Sequence, residues 1–137
     1  MPGDTCGQME TRRSIVLLLW TGAIVLCVIP WDLQNHTHWA KVCWIPFVTP
    51  PVKASDIVAN VLLYVPWGFS FVRRRAAPAR LGWVIACAGA LSIATEATQL
   101  FSHTRFPSAT DVTCNVVGAW LGAAIASVIP TVSDLAS

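Results

Sequence analysis

Four long runs of apolar residues follow one another along the chain, with only short polar links between them. The runs cover residues 14–30, 56–72, 81–101 and 111–130. A helix needs about 17–25 residues to cross ~30 Å of hydrocarbon, and each run is close to that length. The pattern predicts one transmembrane domain of four helices at 14–130, between an amino-terminal tail at 1–13 and a carboxy-terminal tail at 131–137.

Composition supports a membrane protein. Only 12% of the 137 residues are charged and 55% are hydrophobic, whereas roughly 25% of residues are charged in soluble domains. We therefore predict an all-α polytopic membrane protein. Nucleic-acid binding is not expected, because the basic residues form a short cluster beside the membrane that suits anionic lipid headgroups.

The basic residues also predict an orientation, since Lys and Arg collect on the cytoplasmic side of short loops. One side of the predicted membrane carries Arg12, Arg13, Arg73, Arg74, Arg75 and Arg80, and the other carries Lys41, Lys53 and Arg105. Six basic residues against three place both termini in the cytoplasm.

Polar residues interrupt the second, third and fourth runs near the ends that this topology places outside. They are Asp56, Asn60, Glu96, Gln99, Asp111 and Asn115, and Arg105 lies in the link between the last two runs. Residues four apart share one face of a helix, as Asp56 and Asn60 do. A stripe that ends in Glu96 and Gln99 begins at Ser92 and Thr95, and such a stripe should face the bundle interior. The spacing predicts one outward-facing polar site built by three helices.

The charges of this site do not balance in the sequence. A carboxylate at the centre of a span costs about 2.5–3.5 kcal/mol and less near its ends. Asp56 and Asp111 open their helices, where the dipole stabilises each by about 0.3–1 kcal/mol, but Glu96 lies within its span. The guanidinium of Arg105 could pair with one carboxylate. A proton, a divalent cation such as Mg²⁺ or Ca²⁺, or a cationic group on a ligand would satisfy the remainder, and these alternatives stay open.

Other patterns carry less information. His36 and His38 are too few for a zinc site without further ligands. Gly118 and Gly122 form a G-x-x-x-G surface that lets helix backbones approach closely, and we expect it to pack inside the bundle. Nothing in the sequence defines the oligomeric state or requires a cofactor.

The ordered set of motifs resembles the VanZ-like family of small bacterial membrane proteins. The set runs Trp44-Ile45-Pro46-Phe47-Val48-Thr49-Pro50, Asp56-x-x-x-Asn60, Tyr64-Val65-Pro66-Trp67-Gly68, Glu96-x-x-Gln99, Arg105 and Asp111-x-x-x-Asn115-x-x-Gly118-x-x-x-Gly122. One departure is Trp67, where the family usually has Phe. The resemblance implies a multi-pass protein of the bacterial cytoplasmic membrane, and it links the chain to low-level resistance against the lipoglycopeptide teicoplanin.

Three hypotheses for function follow from the polar site and this resemblance. In the first, the site binds an amphiphile, either a lipoglycopeptide or a lipid-linked cell-wall precursor. Arg105 would then contact a phosphate or carboxylate, while Glu96 and Asp111 meet an amine and Asn60, Gln99 and Asn115 supply further ligand contacts. In the second, the protein is an intramembrane enzyme in which Glu96 is base or nucleophile with Asp56 or Asp111 as partner. In the third, the polar groups only hold the helices together as a scaffold.

Overall fold

The fold is a bundle of four α-helices. The computed structural model describes residues 4–48, 52–72 and 78–129. The helices are α1 (Asp4–Val28), α2 (Ala54–Phe71), α3 (Pro78–Gln99) and α4 (Ala109–Val128), with a short 3-10 helix at Trp39–Lys41. The described residues contain two isolated β-bridges and no strand. The predicted all-α fold is therefore confirmed, whereas the basic residues Arg73, Arg74 and Arg75 lie outside the described residues.

Two of the four helices are long and apolar enough to cross a membrane. They contain the stretches Leu81–Gln99 and Ala109–Val128. The apolar part of α1, Ser14–Val28, is shorter, although the helix itself begins at Asp4, well before the predicted start at residue 14. These helices and the apolar composition indicate a membrane protein.

The closest packing in the bundle joins α2 to α4. A Cβ on Gly118 would collide with the carbonyl of Val61, and one on Gly122 would collide with the carbonyl of Val65. Both contacts advance together along the two helices, so α2 and α4 run in the same direction. The G-x-x-x-G surface therefore packs inside the bundle, as predicted, because only glycine lets these two backbones come so close.

Two tryptophan side chains fasten α1 to α2. Trp20 donates its indole N–H to the carbonyl of Leu63 at 2.7 Å, and Trp67 donates to the hydroxyl of Thr21 at 3.0 Å. An indole N–H buried in an apolar setting needs an acceptor, so these bonds fix how α1 lies against α2. The core beside them contains Ile24, which is fully buried.

At one end of the bundle α1 and α3 finish and α2 and α4 begin, and we call this the site end. The loop after α1 is tied there to the α3–α4 link by backbone hydrogen bonds. Gln34 N donates to Phe101 O at 2.8 Å, and Cys43 N donates to Pro107 O at 2.9 Å. Ala109 N donates in return to Cys43 O at 2.9 Å. The two loops therefore form one connected surface over the helix ends.

Candidate functional site

A polar cavity of about 430 Å³ lies at the site end. Its polar lining is Asp56, Asn60, Gln99, Arg105, Ser108 and Asp111. Five of the seven predicted site residues thus come together, contributed by α2, α3, α4 and the α3–α4 link. The convergence follows from the parallel course of α2 and α4, which begin side by side and carry Asp-x-x-x-Asn in their first two turns.

The two aspartates of the cavity occupy equivalent positions. Asp56 lies in the first turn of α2 and Asp111 in the first turn of α4. The positive end of a helix dipole stabilises a negative charge there, and Ser108 caps α4 by accepting a hydrogen bond from Thr110 N at 3.2 Å. The local structure therefore favours carboxylates at both positions, facing a shared space.

Arg105 lines the cavity but does not form the predicted pair with a carboxylate. Its Nη1 donates to the carbonyls of Cys27 and Val28, both at 3.3 Å. These carbonyls belong to the last turn of α1, where the groups have no partner within the helix and the dipole is negative. Among the described residues the Arg–carboxylate pair that the sequence allowed is not found, because the carboxy-terminal end of α1 binds the guanidinium.

Glu96 is buried, with 6% of its surface exposed, and holds the α3–α4 link in place. Its Oε2 accepts a hydrogen bond from Ser108 N at 2.7 Å, and Gln99 Nε2 lies 3.5 Å from Oε1. The short bond to Ser108 joins the last turns of α3 to the residue that caps α4. Glu96 is therefore a positioning residue for the cavity wall, and the catalytic role predicted for it stays a prediction.

The stripe that contains Glu96 faces the interior, as its spacing predicted. Ser92, Thr95, Glu96 and Gln99 are all buried. Asn115 meets this stripe from α4 and donates from Nδ2 to Ser92 Oγ at 2.9 Å. Asn115 is 1% exposed and is absent from the lining of the cavities at the site end. The structure thus places it within the α3–α4 packing, deeper than the predicted ligand-contacting level.

An apolar groove of about 410 Å³ lies beside the polar cavity. Its apolar lining includes Trp39, Val42, Trp44, Ile93, Leu100 and Val112. Cys43 and Ser108 line both spaces, so the β-bridge between these two residues forms the wall that separates them. The groove has no signal in the sequence, because it depends on the pairing of two loops that are distant along the chain.

Asp32 is a structural residue that sequence analysis missed. Its carboxylate accepts hydrogen bonds from Ser102 Oγ at 2.8 Å, His103 N at 3.1 Å, Thr104 N at 3.0 Å and Thr104 Oγ1 at 2.9 Å. The hydroxyls of Ser102 and Thr104 are the main reason that the pKa of Asp32 falls to about 2. An aspartate directly after Pro30 and Trp31 carries no motif that points to the α3–α4 link.

Three histidines lie together on the loops at the site end. The ring of His38 is 4.7 Å from that of His36 and 6.0 Å from that of His103, between centroids. Burial, together with the charges of Lys41 and the other two histidines, lowers the pKa of His38. The H-x-H pair thus gains a third imidazole that its spacing could not reveal.

Oxygen donors suited to a hard cation are present in the polar cavity. They are the carboxylates of Asp56 and Asp111 and the side-chain amides of Asn60 and Gln99. Within residues 4–48, 52–72 and 78–129, however, no three His, Cys, Asp or Glu side chains are grouped as a metal site requires. The divalent cation considered from the sequence therefore has no preformed cluster of acidic ligands among those residues.

Comparison with known proteins gives the family. No curated protein and no solved structure matches the chain. The family model described as VanZ/LLP1 matches residues 14–130, which include all four apolar runs and every residue of the site. The chain therefore belongs to the VanZ/LLP1 family.

Proposed function

We propose that the protein spans the bacterial cytoplasmic membrane four times, with both termini inside, and binds an amphiphile of the cell envelope at the site end. In this orientation the site end lies at the outer surface. The polar cavity takes the head of the ligand and the apolar groove takes its hydrocarbon chain. Lipoglycopeptides and lipid-linked cell-wall precursors both have this chemistry.

The observation that carries the proposal is the position of the two spaces. The polar cavity and the apolar groove are of similar size, and Cys43 and Ser108 line both. Small-ligand pockets are commonly about 300–1,000 Å³, and an amphiphile needs a polar and an apolar compartment in contact. The pairing of the loops around Cys43 and Ser108 provides that arrangement.

The charges of the cavity suit a head that carries both signs. Asp56 and Asp111 can accept hydrogen bonds from an amine. Arg105 makes two bonds to carbonyls through Nη1, which leaves donors of its guanidinium for a phosphate or carboxylate. Asn60 and Gln99 supply neutral donors and acceptors between these charges.

The phenotype that we propose comes from one relative. The founding member of the VanZ-like family is linked to low-level resistance against teicoplanin, with little protection against vancomycin. Teicoplanin carries an acyl chain, which the groove would accommodate. We infer that this protein contributes to resistance by binding the acylated antibiotic at the membrane surface.

A susceptibility measurement tests this function. A glycopeptide-sensitive bacterium would express the native chain, Glu96→Gln, Asp111→Asn or Gly82→Ala at equal membrane abundance. We expect protection against teicoplanin, little against vancomycin, and loss of protection in Asp111→Asn. Gly82→Ala is the matched control, because an added Cβ meets no atom within 4 Å there. Equal protection by the native chain and Asp111→Asn, or no protection at all, would contradict the proposal.

A second candidate is an intramembrane enzyme that modifies a lipid-linked substrate. It is favoured by the placement of Asp56 and Asp111 on the wall of one cavity, since two carboxylates that share a cavity can divide acid and base roles. Mass spectrometry of envelope lipids distinguishes the candidates. A lipid species that changes with the native chain and not with Asp111→Asn indicates catalysis, whereas identical lipid profiles indicate binding alone.

A further inference from the structure

The loop between α1 and α2 exposes large apolar side chains. Trp39, Trp44, Ile45, Phe47 and Val48 are each between 56% and 70% exposed. Contiguous exposed apolar surface of this kind marks a contact with another apolar phase. Segment 39–48 is therefore the strongest candidate for a contact surface at the site end.

Hydrogen bonds prevent this segment from turning its apolar side chains inward. The N–H of Cys43 donates to Pro107 O in the α3–α4 link, and its carbonyl accepts from Ala109 N at the start of α4. Phe47 N donates to Thr110 Oγ1 at 2.9 Å, and Thr110 is itself buried. The exposed face is thus part of the folded structure.

Phe47 provides a second, independent observation. Its φ angle is 63°, in the left-handed region that residues with a Cβ avoid. A strained residue persists when its surroundings compensate for it. The hydrogen bond from Phe47 N to buried Thr110 provides such compensation and fixes the Phe47 side chain in its exposed position, where an apolar phase outside the protein would contact it.

One charged side chain of the segment, Lys41, contacts the α3–α4 link. Lys41 Nζ lies 4.5 Å from the centre of the Phe106 ring in the α3–α4 link. Tryptophan and lysine together are typical of segments that lie at the boundary between lipid headgroups and acyl chains. The segment therefore has one face for the protein and one for a lipid surface.

The apolar groove continues onto the face of α3 that would contact lipid. Ile93 lines the groove and is 61% exposed, and it lies within the stretch Leu81–Gln99, which is long and apolar enough to cross a membrane. Trp39 and Trp44 line the same groove from segment 39–48. A groove whose walls are a lipid-facing helix and an exposed apolar loop opens sideways.

We propose that segment 39–48 lies in the outer leaflet of the membrane and that the apolar groove opens laterally to its lipid. The groove then receives its occupant, a hydrocarbon chain, from the leaflet and not from the aqueous phase. The entry route rests on the proposed function, because it needs a ligand in the site. The embedding of segment 39–48 needs no ligand, and it takes from the proposed function only the orientation that makes this leaflet the outer one.

Spin labels measure this embedding directly. With the five native cysteines replaced, a label would be attached at Ile45→Cys or Phe47→Cys, with His36→Cys as an exposed control from the same loop, in liposomes. We expect labels at positions 45 and 47 to collide more often with oxygen, which partitions into lipid, than with a water-soluble nickel complex. The label at position 36 should show the reverse.

Two results would overturn the proposal. Labels at positions 45 and 47 that are as accessible to the nickel complex as the label at 36 would place the segment in water. Labels shielded from both reagents would show that a second copy or another protein covers the segment.

If the cysteine-free chain does not fold, lipids brominated on the acyl chain give the same information. They should quench the fluorescence of the native chain more than that of Trp44→Phe, and equal quenching would contradict the embedding.

The native chain in liposomes of the same lipid separates the two proposals, because it keeps Cys43, which lines both the cavity and the groove. A fluorescent lipoglycopeptide is titrated into these liposomes, and the result is compared with the accessibility of the labels. If the labels are embedded but binding is not saturable, the lipid contact of segment 39–48 is supported and the proposed ligand site is rejected. If binding is saturable but the labels are in water, the proposed ligand site is supported and lateral entry from the leaflet is rejected.

Discussion

Asp32 and Thr104 join the two loops of the site end through two hydrogen bonds to one carboxylate oxygen. Oδ2 of Asp32 accepts from the backbone N–H of Thr104 at 3.0 Å and from its hydroxyl at 2.9 Å. The residues are 72 positions apart, so this contact closes the loop after α1 onto the α3–α4 link. The position of the polar cavity and the apolar groove depends on that closure.

Replacing Asp32 should therefore loosen the site end in a pH-dependent way. The pKa of Asp32 is lowered from 3.8 to about 2 by its hydrogen bonds, so the ionised form stabilises the fold. This contribution is fully present above pH 3.8 and is lost as the pH falls through about 2. We expect Asp32→Asn to melt at a lower temperature than the native chain at pH 7, with the difference shrinking below pH 4.

A double-mutant cycle provides the control for this prediction. Thr104→Val removes the hydroxyl that donates to Asp32 and keeps the backbone N–H. The destabilisation in the double variant should be smaller than the sum of the two single effects, because both changes remove one shared bond. Fully additive effects, or a difference from the native chain that stays constant down to pH 2, would refute the role given to Asp32.

The close approach of α2 and α4 predicts a sensitive position at Gly122. An alanine methyl there would meet the carbonyl of Val65 and lie 2.7 Å from Phe69 N. Overpacking of this kind costs typically 1–3 kcal/mol. We expect Gly122→Ala to lose about that much free energy of unfolding in detergent, measured by denaturant titration. Gly82→Ala should change little, and equal stabilities of the two variants would disprove the α2–α4 contact.

Two substitutions of Glu96 should separate the effect of its hydrogen bond to Ser108 from the effect of its negative charge. Glu96→Ala removes the acceptor of the Ser108 N–H, and because Ser108 is half-buried we expect a loss near the lower end of the ~1–3 kcal/mol that an unsatisfied buried group costs. Glu96→Gln keeps a carbonyl oxygen that accepts the same bond, so its stability should stay close to that of the native chain. Thermal unfolding of both variants checks this. A Gln variant as unstable as the Ala variant would mean that the negative charge itself holds the α3–α4 link.

Much of the fold was predictable because it depends on local patterns. The apolar runs predicted the four helices, and the spacing of Ser92, Thr95, Glu96 and Gln99 predicted which face of α3 turns inward. The glycines of α4 predicted a close helix contact. In each case the signal lies within one helix, so its period is visible in the sequence.

The rest depends on contacts between distant residues. The partner of Arg105 is the end of α1, and nothing near Arg105 in sequence distinguishes those carbonyls from the carboxylates of Asp56 and Asp111. The apolar groove exists because Cys43 pairs with Ser108, and neither residue belongs to a motif that predicts such a β-bridge. Asn115 repeats the position of Asn60, yet it points into the α3–α4 packing and not into the cavity.

Direct binding tests the central claim, that the paired cavity and groove hold an amphiphile. The native chain, Asp111→Asn and Gly82→Ala would each be purified into nanodiscs and titrated with fluorescent teicoplanin. Vancomycin with the same dye attached serves as the control ligand, because it has no acyl chain. We expect saturable binding of teicoplanin to the native chain and to Gly82→Ala, and no saturable binding of vancomycin. Binding of teicoplanin to Asp111→Asn should be at least about tenfold weaker, which is equivalent to about 1.4 kcal/mol. Teicoplanin binding that is absent from the native chain, or equally strong in Asp111→Asn, would contradict the central claim.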